Sequence, residues 1–386
     1  MNAVKTIAAI LAAAFIFPGA LLAERNTRHG ANIVPVAIYG SDGRADYYEA
    51  DQVYQRLADS TAALFRSRDV YLDAGRGTAS IDMGKTIGSK YNLQEGERYG
   101  DQPFGSFCSS FLVGEDLVVT AAHCFEEYAP EDSRISYKDT LFVFGYIVAE
   151  AGRFPLEVPA ENVFRFKEIV SASYDKGGAD YAVIRLDRKV PAGRFPLAIN
   201  RGAAPAVGAR LFTIGYPSGM PVKITDPKDA SVRSVSAAKG FFVTDLDAFK
   251  GNSGSPVFNS ETMLIEGVLT RGGTDYIHAD SDGLTYYDPR RPGGFSPGSA
   301  HVVGQDEGRG EDVTLIGRLK NFLPVTEFER AIDEAKRRNV PMQAPSLRDS
   351  GIVPAIYNPD GRGGGFVPAV YYPDEDDIPE PTMQFI

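Results

Sequence analysis

Tryptophan is absent from this 386-residue chain, so aromatic core mass must come from its 19 Tyr and 23 Phe. Positive charge is in deficit: 40 Lys and Arg stand against 51 Asp and Glu, a formal net charge of −11. That balance argues against a nucleic-acid partner and against an anionic membrane surface, because both favour cationic faces. Histidine is scarce at four residues, and apart from His123 the others (His29, His278 and His301) show no ligand-like spacing with each other or with cysteine. No metal site and no cofactor is therefore expected, and no ordered ligand pattern supports calcium in the acidic loops. Long apolar runs are scarce. The one at the start, in MNAVKTIAAILAAAFIFPGALLA, is shorter than the ~20 residues a membrane-spanning helix needs.

That first stretch has the order of a secretory signal peptide: a lysine, an apolar run, a Pro-Gly break and small residues. Residues 1–23 are expected to be removed after Ala23, with Ala20 as the alternative junction. Residue 24 is Glu rather than Cys, so the junction carries no bacterial lipid-anchor signal. The expected location is secreted or periplasmic, without stable membrane association after removal. In an exported chain the two cysteines, Cys108 and Cys124, suggest a disulfide.

Glycine (40) and proline (25) are plentiful, and hydrophobic residues make up 43% of the chain. Short apolar runs rich in Val, Ile, Phe and Thr recur between turn residues, among them EDLVVTA, TLFVFGYIV, DYAVIRL, ARLFTIGY and MLIEGVLT. They recur too often for a βαβ protein, and the pattern predicts an all-β barrel or sandwich over residues 38–340. Residues 24–37 form a linker or short pro-segment, and 272–312 reads as a long surface loop. A structural helix is expected over 326–341, with Thr326 and Glu329 as a capping box and Lys336, Arg337 and Arg338 in the last turn. Residues 341–386 form a Pro-rich tail whose acidic run PDEDDIPEP is expected to stay disordered.

Three segments carry chemistry. LVVTAAHC places His123 after a strand-forming run, beside Cys124. KGNSGSPV sets Ser253 in a glycine-flanked turn, where the hydroxyl stands exposed and the N–H groups of Gly251 and Ser253 point to one spot. DYAVIRL opens a strand on Asp180; Asp175 is a weaker acid candidate in a more polar loop. A serine nucleophile needs a base, the base needs an orienting group, and the developing oxyanion needs fixed N–H donors.

Together these segments resemble the chymotrypsin-like (trypsin-fold) serine peptidases. TAAHC, DYAVIRL and GNSGSP match the family's motifs in the family's order, with spacings of 57 from His123 to Asp180 and 73 from Asp180 to Ser253. The resemblance implies a triad of those three residues and an oxyanion hole from Gly251 and Ser253. It also implies that Cys108 and Cys124 form the disulfide beside the histidine, and that two six-stranded antiparallel β-barrels enclose the active site in their cleft. The expected activity is a serine endopeptidase on polypeptide substrates, working as a monomer. An esterase, or a silent binding protein on the same scaffold, is the alternative. Asn252 stands where the digestive branch has an aspartate that pairs with a new N-terminus, so activation by that ion pair is not expected, although Ile38-Tyr39-Gly40 faintly resembles the cut site. GNSGSPVF is closer to the bacterial exported branch that includes glutamyl endopeptidases. In the family the sixth residue before the nucleophile, here Asp247, lies at the base of the specificity pocket, and Thr270, Arg271 and Gly272 form its wall. An open Asp247 would favour Arg or Lys in the substrate. An inward Arg271 would neutralise it or recruit acidic side chains, and Asp247 could instead bond its own loop.

Overall fold

The structure, a computed structural model, describes residues 37–82, 84–131, 135–278 and 296–338, with the backbone of two further strands, Met342–Arg348 and Gly351–Ile356. The expected signal peptide, nearly all of the 24–37 linker and the acidic run of the tail lie outside the described residues.

Twelve strands form two six-stranded antiparallel barrels. The first contains β1 (Thr61–Arg66), β2 (Cys108–Leu112), β3 (Leu117–Thr120), β4 (Thr140–Phe144), β5 (Val163–Tyr174) and β6 (Asp180–Leu186). Their order around the barrel is β5-β6-β3-β2-β1-β4, and β4 closes on β5. The second contains β7 (Arg210–Gly215), β8 (Ala230–Ser236), β9 (Phe241–Thr244), β10 (Pro256–Asn259), β11 (Ile265–Arg271) and β12 (Glu311–Leu315). Here the order is β8-β9-β12-β11-β10-β7, closed by β7 on β8. The short strand Lys223–Thr225 extends β7, and Arg44–Asp46 pairs outside it, tying the N-terminal segment to the second barrel.

Alternation along each strand divides its side chains between two surfaces. In β1, Ala62 and Leu64 enter the first barrel's interior, where they meet Val118, Phe142, Phe164, Ala182 and Ile184. Ala63 and Phe65 face the other way, into a cluster that also holds Val119, Val143 and Val183 and, from the second barrel, Phe212, Ile214, Phe258 and Val268. A third cluster, with Leu211, Val232, Phe242, Val257, Leu269 and Val313, fills the second barrel. Each fully buried Val, Leu or Phe stabilises by about 1.5–3 kcal/mol. The shared cluster therefore fixes one barrel against the other, and with them the cleft. Phenylalanine supplies the aromatic mass: Phe212 stacks on Phe258 at 4.8 Å, and Phe144 meets Phe164 edge-on at 5.5 Å. Cys108 and Cys124 are joined, 16 residues apart in sequence, and closing a loop of that length stabilises by about 3 kcal/mol.

Three expectations are corrected. The supposed loop over 272–312 contains the paired strands Tyr276–His278 and Gly298–Ala300 and the start of β12. Glu311 and Asp312 disguise β12, because two acids at 1% and 2% exposure break the apolar pattern of a buried strand. The helix is Glu327–Arg337, and Thr326 accepts the N–H of Glu329 as foreseen. Glu329 does not complete the capping box: its carboxylate takes the Ile199 N–H at 2.9 Å and Arg201 Nε at 2.5 Å. Inside the expected disordered tail, Met342–Arg348 and Gly351–Ile356 pair as an antiparallel hairpin.

Candidate active site

The register of the first barrel brings His123 and Asp180 together. Strands β3 and β6 pair with Thr120 opposite Ala182, so Asp180 falls opposite Ala122 at the end of the ladder. There its Oδ1 accepts the N–H of Ala122 at 2.7 Å and that of His123 at 3.2 Å. Its Oδ2 faces His123 Nδ1 at 2.6 Å. Asp180 is only 1% exposed, so these donors replace its water. A carboxylate on Nδ1 selects the tautomer with the proton there, which leaves Nε2 as an acceptor. Nε2 lies 2.9 Å from Ser253 Oγ.

Ser253 belongs to the loop entering β10 of the second barrel. Two glycines with positive φ shape it: Gly251 at 105° and Gly254 at 90°, a region closed to most side chains. The two barrels are stitched at this point. Ser109, in β2, donates its N–H to the Ser253 carbonyl and its hydroxyl to the Gly251 carbonyl, both at 2.8 Å. From the other side, Thr314 Oγ1 in β12 accepts the Asp180 N–H at 2.9 Å. Sequence reasoning missed Ser109 and Thr314, since a serine or threonine in a buried strand has no motif.

A trans peptide directs its C=O and N–H to opposite sides. The Lys250 carbonyl accepts from Ser218 N–H at 2.6 Å, and the Asn252 carbonyl from Ser255 N–H at 2.9 Å. The N–H groups of Gly251 and Ser253 thus point the other way, and neither donates to an acceptor among the described residues.

The residues expected to form the specificity pocket sit differently. Asp247 is 6% exposed, and its two oxygens accept the N–H groups of Tyr39 at 2.9 Å and Gly43 at 2.8 Å. It anchors the N-terminal segment, so the open carboxylate that would select Arg or Lys is not what the structure places there. Arg271 does not neutralise it. Its guanidinium bonds Asp312 at 2.8 Å and reaches the carbonyls of Gly178 and Asp175, gripping the turn that leads into Asp180. Asp175, the weaker acid candidate, caps that turn through Gly177 N–H. Thr270 donates to the Asp312 carbonyl. Gly272 packs so closely on Glu311 that a Cβ would fall 2.0 Å from Oε2. Among the described residues, no cluster of His, Cys, Asp and Glu is placed to hold a metal ion.

Burial pushes the Asp247 carboxyl up to about 7, against the lowering effect of its two N–H donors. Asp275, beyond β11, is likewise pushed up to about 7 by burial. An ordinary Asp titrates at 3.8, so both groups hold a proton more tightly folded than unfolded. Their stabilising contribution is complete below about pH 4 and is lost as pH rises through about 7. Melting temperature is expected to fall between pH 4.5 and 8, each such proton contributing a slope of up to about 1.4 kcal/mol per pH unit. Asp275→Asn should flatten that slope by one proton's share. Parallel thermal melts of the two proteins check this, and identical slopes would show that Asp275 titrates normally.

Residues 108–265 match the family model described as a trypsin-like peptidase domain, a span that holds His123, Asp180 and Ser253. Among solved structures, a Glu endopeptidase in complex with MPD is similar, with a TM-score of 0.37 and 16% identity, over 60% of this chain and 86% of that one. No curated protein matches the sequence. The matched family and the double barrel together identify residues 108–265 as a trypsin-like peptidase domain.

Proposed function

We propose that the chain is an exported serine endopeptidase in which Ser253, His123 and Asp180 form the catalytic triad. The observation that carries this is the His123 ring, bonded to Asp180 at 2.6 Å through Nδ1 and to Ser253 at 2.9 Å through Nε2. Ser253 Oγ attacks the peptide carbonyl while Nε2 takes its proton. Asp180 stabilises the resulting imidazolium and keeps the ring in place. The N–H groups of Gly251 and Ser253 stabilise the oxyanion. As the tetrahedral intermediate collapses, His123 passes the proton to the leaving amine and an acyl-enzyme remains. Water activated by the same ring then releases the acid. The Cys108–Cys124 bridge supports export, since such bonds persist in oxidising compartments. Asp247 lends no support to a preference for Arg or Lys, because its carboxylate is occupied.

Labelling with a fluorophosphonate probe tests the reading. Wild-type protein is expected to take the label at Ser253 and Ser253→Ala to take none, and a peptide-library digest of the same sample should show internal cleavage. Folded, oxidised protein that takes no label would overturn the reading. Label with ester turnover but no peptide cleavage would shift it to an acyl hydrolase.

A further inference from the structure

The oxyanion donor Gly251 shares a peptide with Lys250, and Lys250 is gripped from both ends of its backbone. Its N–H donates to both carboxylate oxygens of Asp275, at 3.0 and 3.1 Å. Its carbonyl accepts from Ser218 N–H. Ser218 is itself constrained. It holds a left-handed conformation, φ 54°, and its hydroxyl lies 2.9 Å from the Tyr276 hydroxyl. Asp275 and Tyr276 are consecutive, so one dipeptide braces Lys250 directly through Asp275 and indirectly through Tyr276 and Ser218. Both side chains are nearly inaccessible, Asp275 at 5% and Tyr276 at 7% exposure. Tyr276 packs between Tyr91 and Phe249, at 4.8 and 5.2 Å between ring centroids. The 216–219 loop also presses on the donor: a Cβ on Gly251 would fall 2.6 Å from the Tyr216 carbonyl and 3.2 Å from Ser218 N.

We infer that Asp275 and Tyr276 are positioning residues for the oxyanion hole, setting the direction of the Gly251 N–H by fixing the backbone of Lys250. The assignment rests on the triad reading above. Neither residue touches the reacting atoms; each acts through a backbone whose orientation decides where a donor points. An oxyanion donor is effective only when aimed at the position the charged oxygen will occupy, so a small rotation of the 250–251 peptide weakens the transition state more than the bound substrate.

The test compares kcat, KM and the affinity of a trifluoromethyl ketone, built on the peptide that wild type cleaves fastest, in wild type, Asp275→Ala, Asp275→Asn and Tyr276→Phe. Asp275→Ala is expected to lower kcat and ketone affinity together, by about tenfold to a hundredfold, with KM within about threefold. Asp275→Asn keeps an oxygen that accepts the Lys250 N–H and should stay within about threefold of wild type. Tyr276→Phe removes only the hydroxyl on Ser218 and should lose about three- to tenfold, which carries the comparison if Asp275→Ala does not fold. A raised KM with unchanged kcat and ketone affinity would overturn the assignment, as would Asp275→Asn being as damaging as Asp275→Ala. Both outcomes leave the triad standing. A wild type that takes no fluorophosphonate and hydrolyses nothing would instead overturn the triad reading, and this assignment with it.

Discussion

Replacing Asp180 with Asn should lower kcat by about four orders of magnitude while leaving the protein folded. The size of the effect follows from which atoms bind Asp180. Its Oδ1 accepts two backbone N–H groups, from Ala122 and His123, and those donors cannot turn away. An Asn at this position must give them its carbonyl oxygen, which turns its NH2 toward His123 Nδ1. A donor there reverses the preferred tautomer: Nδ1 becomes the acceptor and Nε2 carries the proton. The ring then presents N–H to Ser253 and cannot take its proton. The opposite orientation of the amide would set NH2 against two N–H donors in a site that is 1% exposed, at a cost of about 1–3 kcal/mol for each unsatisfied group. Steady-state kinetics on the best peptide, with thermal melts run in parallel, check the expectation. Activity within tenfold of wild type in a folded variant would mean that Asp180 does not set the tautomer.

The three residues proposed as the triad stood out in the sequence because each lies in a short segment whose neighbours suit the task proposed for it. TAAHC runs from a buried strand into a turn, DYAVIRL opens a buried strand, and the glycines of GNSGSP permit the positive φ that the loop around Ser253 adopts. The barrels were legible from recurring runs of Val, Ile and Phe. What sequence could not give was the set of contacts made between distant segments. Asp247 precedes Ser253 by six residues, but its partners Tyr39 and Gly43 lie more than 200 residues away. Nothing local distinguishes a carboxylate held by backbone donors from one open to substrate. Arg271 has the same history: its charge was visible, and its grip on Asp312 and on the turn before Asp180 was not. Strand β12 was obscured because its first two residues are acids buried by tertiary contacts. Thr326 did cap the helix, while Glu329 was drawn to Ile199 and Arg201 instead.

Gly254→Ala is expected to cost about 2–6 kcal/mol and to abolish fluorophosphonate labelling. Two effects add. The residue sits at φ 90°, where a non-glycine side chain costs about 1–3 kcal/mol. A Cβ built there would also lie 2.1 Å from the Ser109 carbonyl and 2.4 Å from Thr120 Oγ1, an overpacking of about 1–3 kcal/mol. Ser109 and Thr120 belong to β2 and β3, whose strands are buried and cannot withdraw cheaply. The nucleophile loop must move instead. Movement there breaks the bonds from Ser109 to the Gly251 and Ser253 carbonyls, and these hold the Ser253 hydroxyl and the N–H groups of Gly251 and Ser253 against the first barrel. Stability and labelling should therefore fail together. Gly317→Ala is the control, since a Cβ at Gly317 meets nothing within 4 Å. Denaturant midpoints and labelling rates for the two variants decide the matter. If Gly254→Ala matched Gly317→Ala in both, the nucleophile loop would not be pressed against β2 and β3, and the second barrel's serine would need some other means of staying in register with the first barrel's histidine.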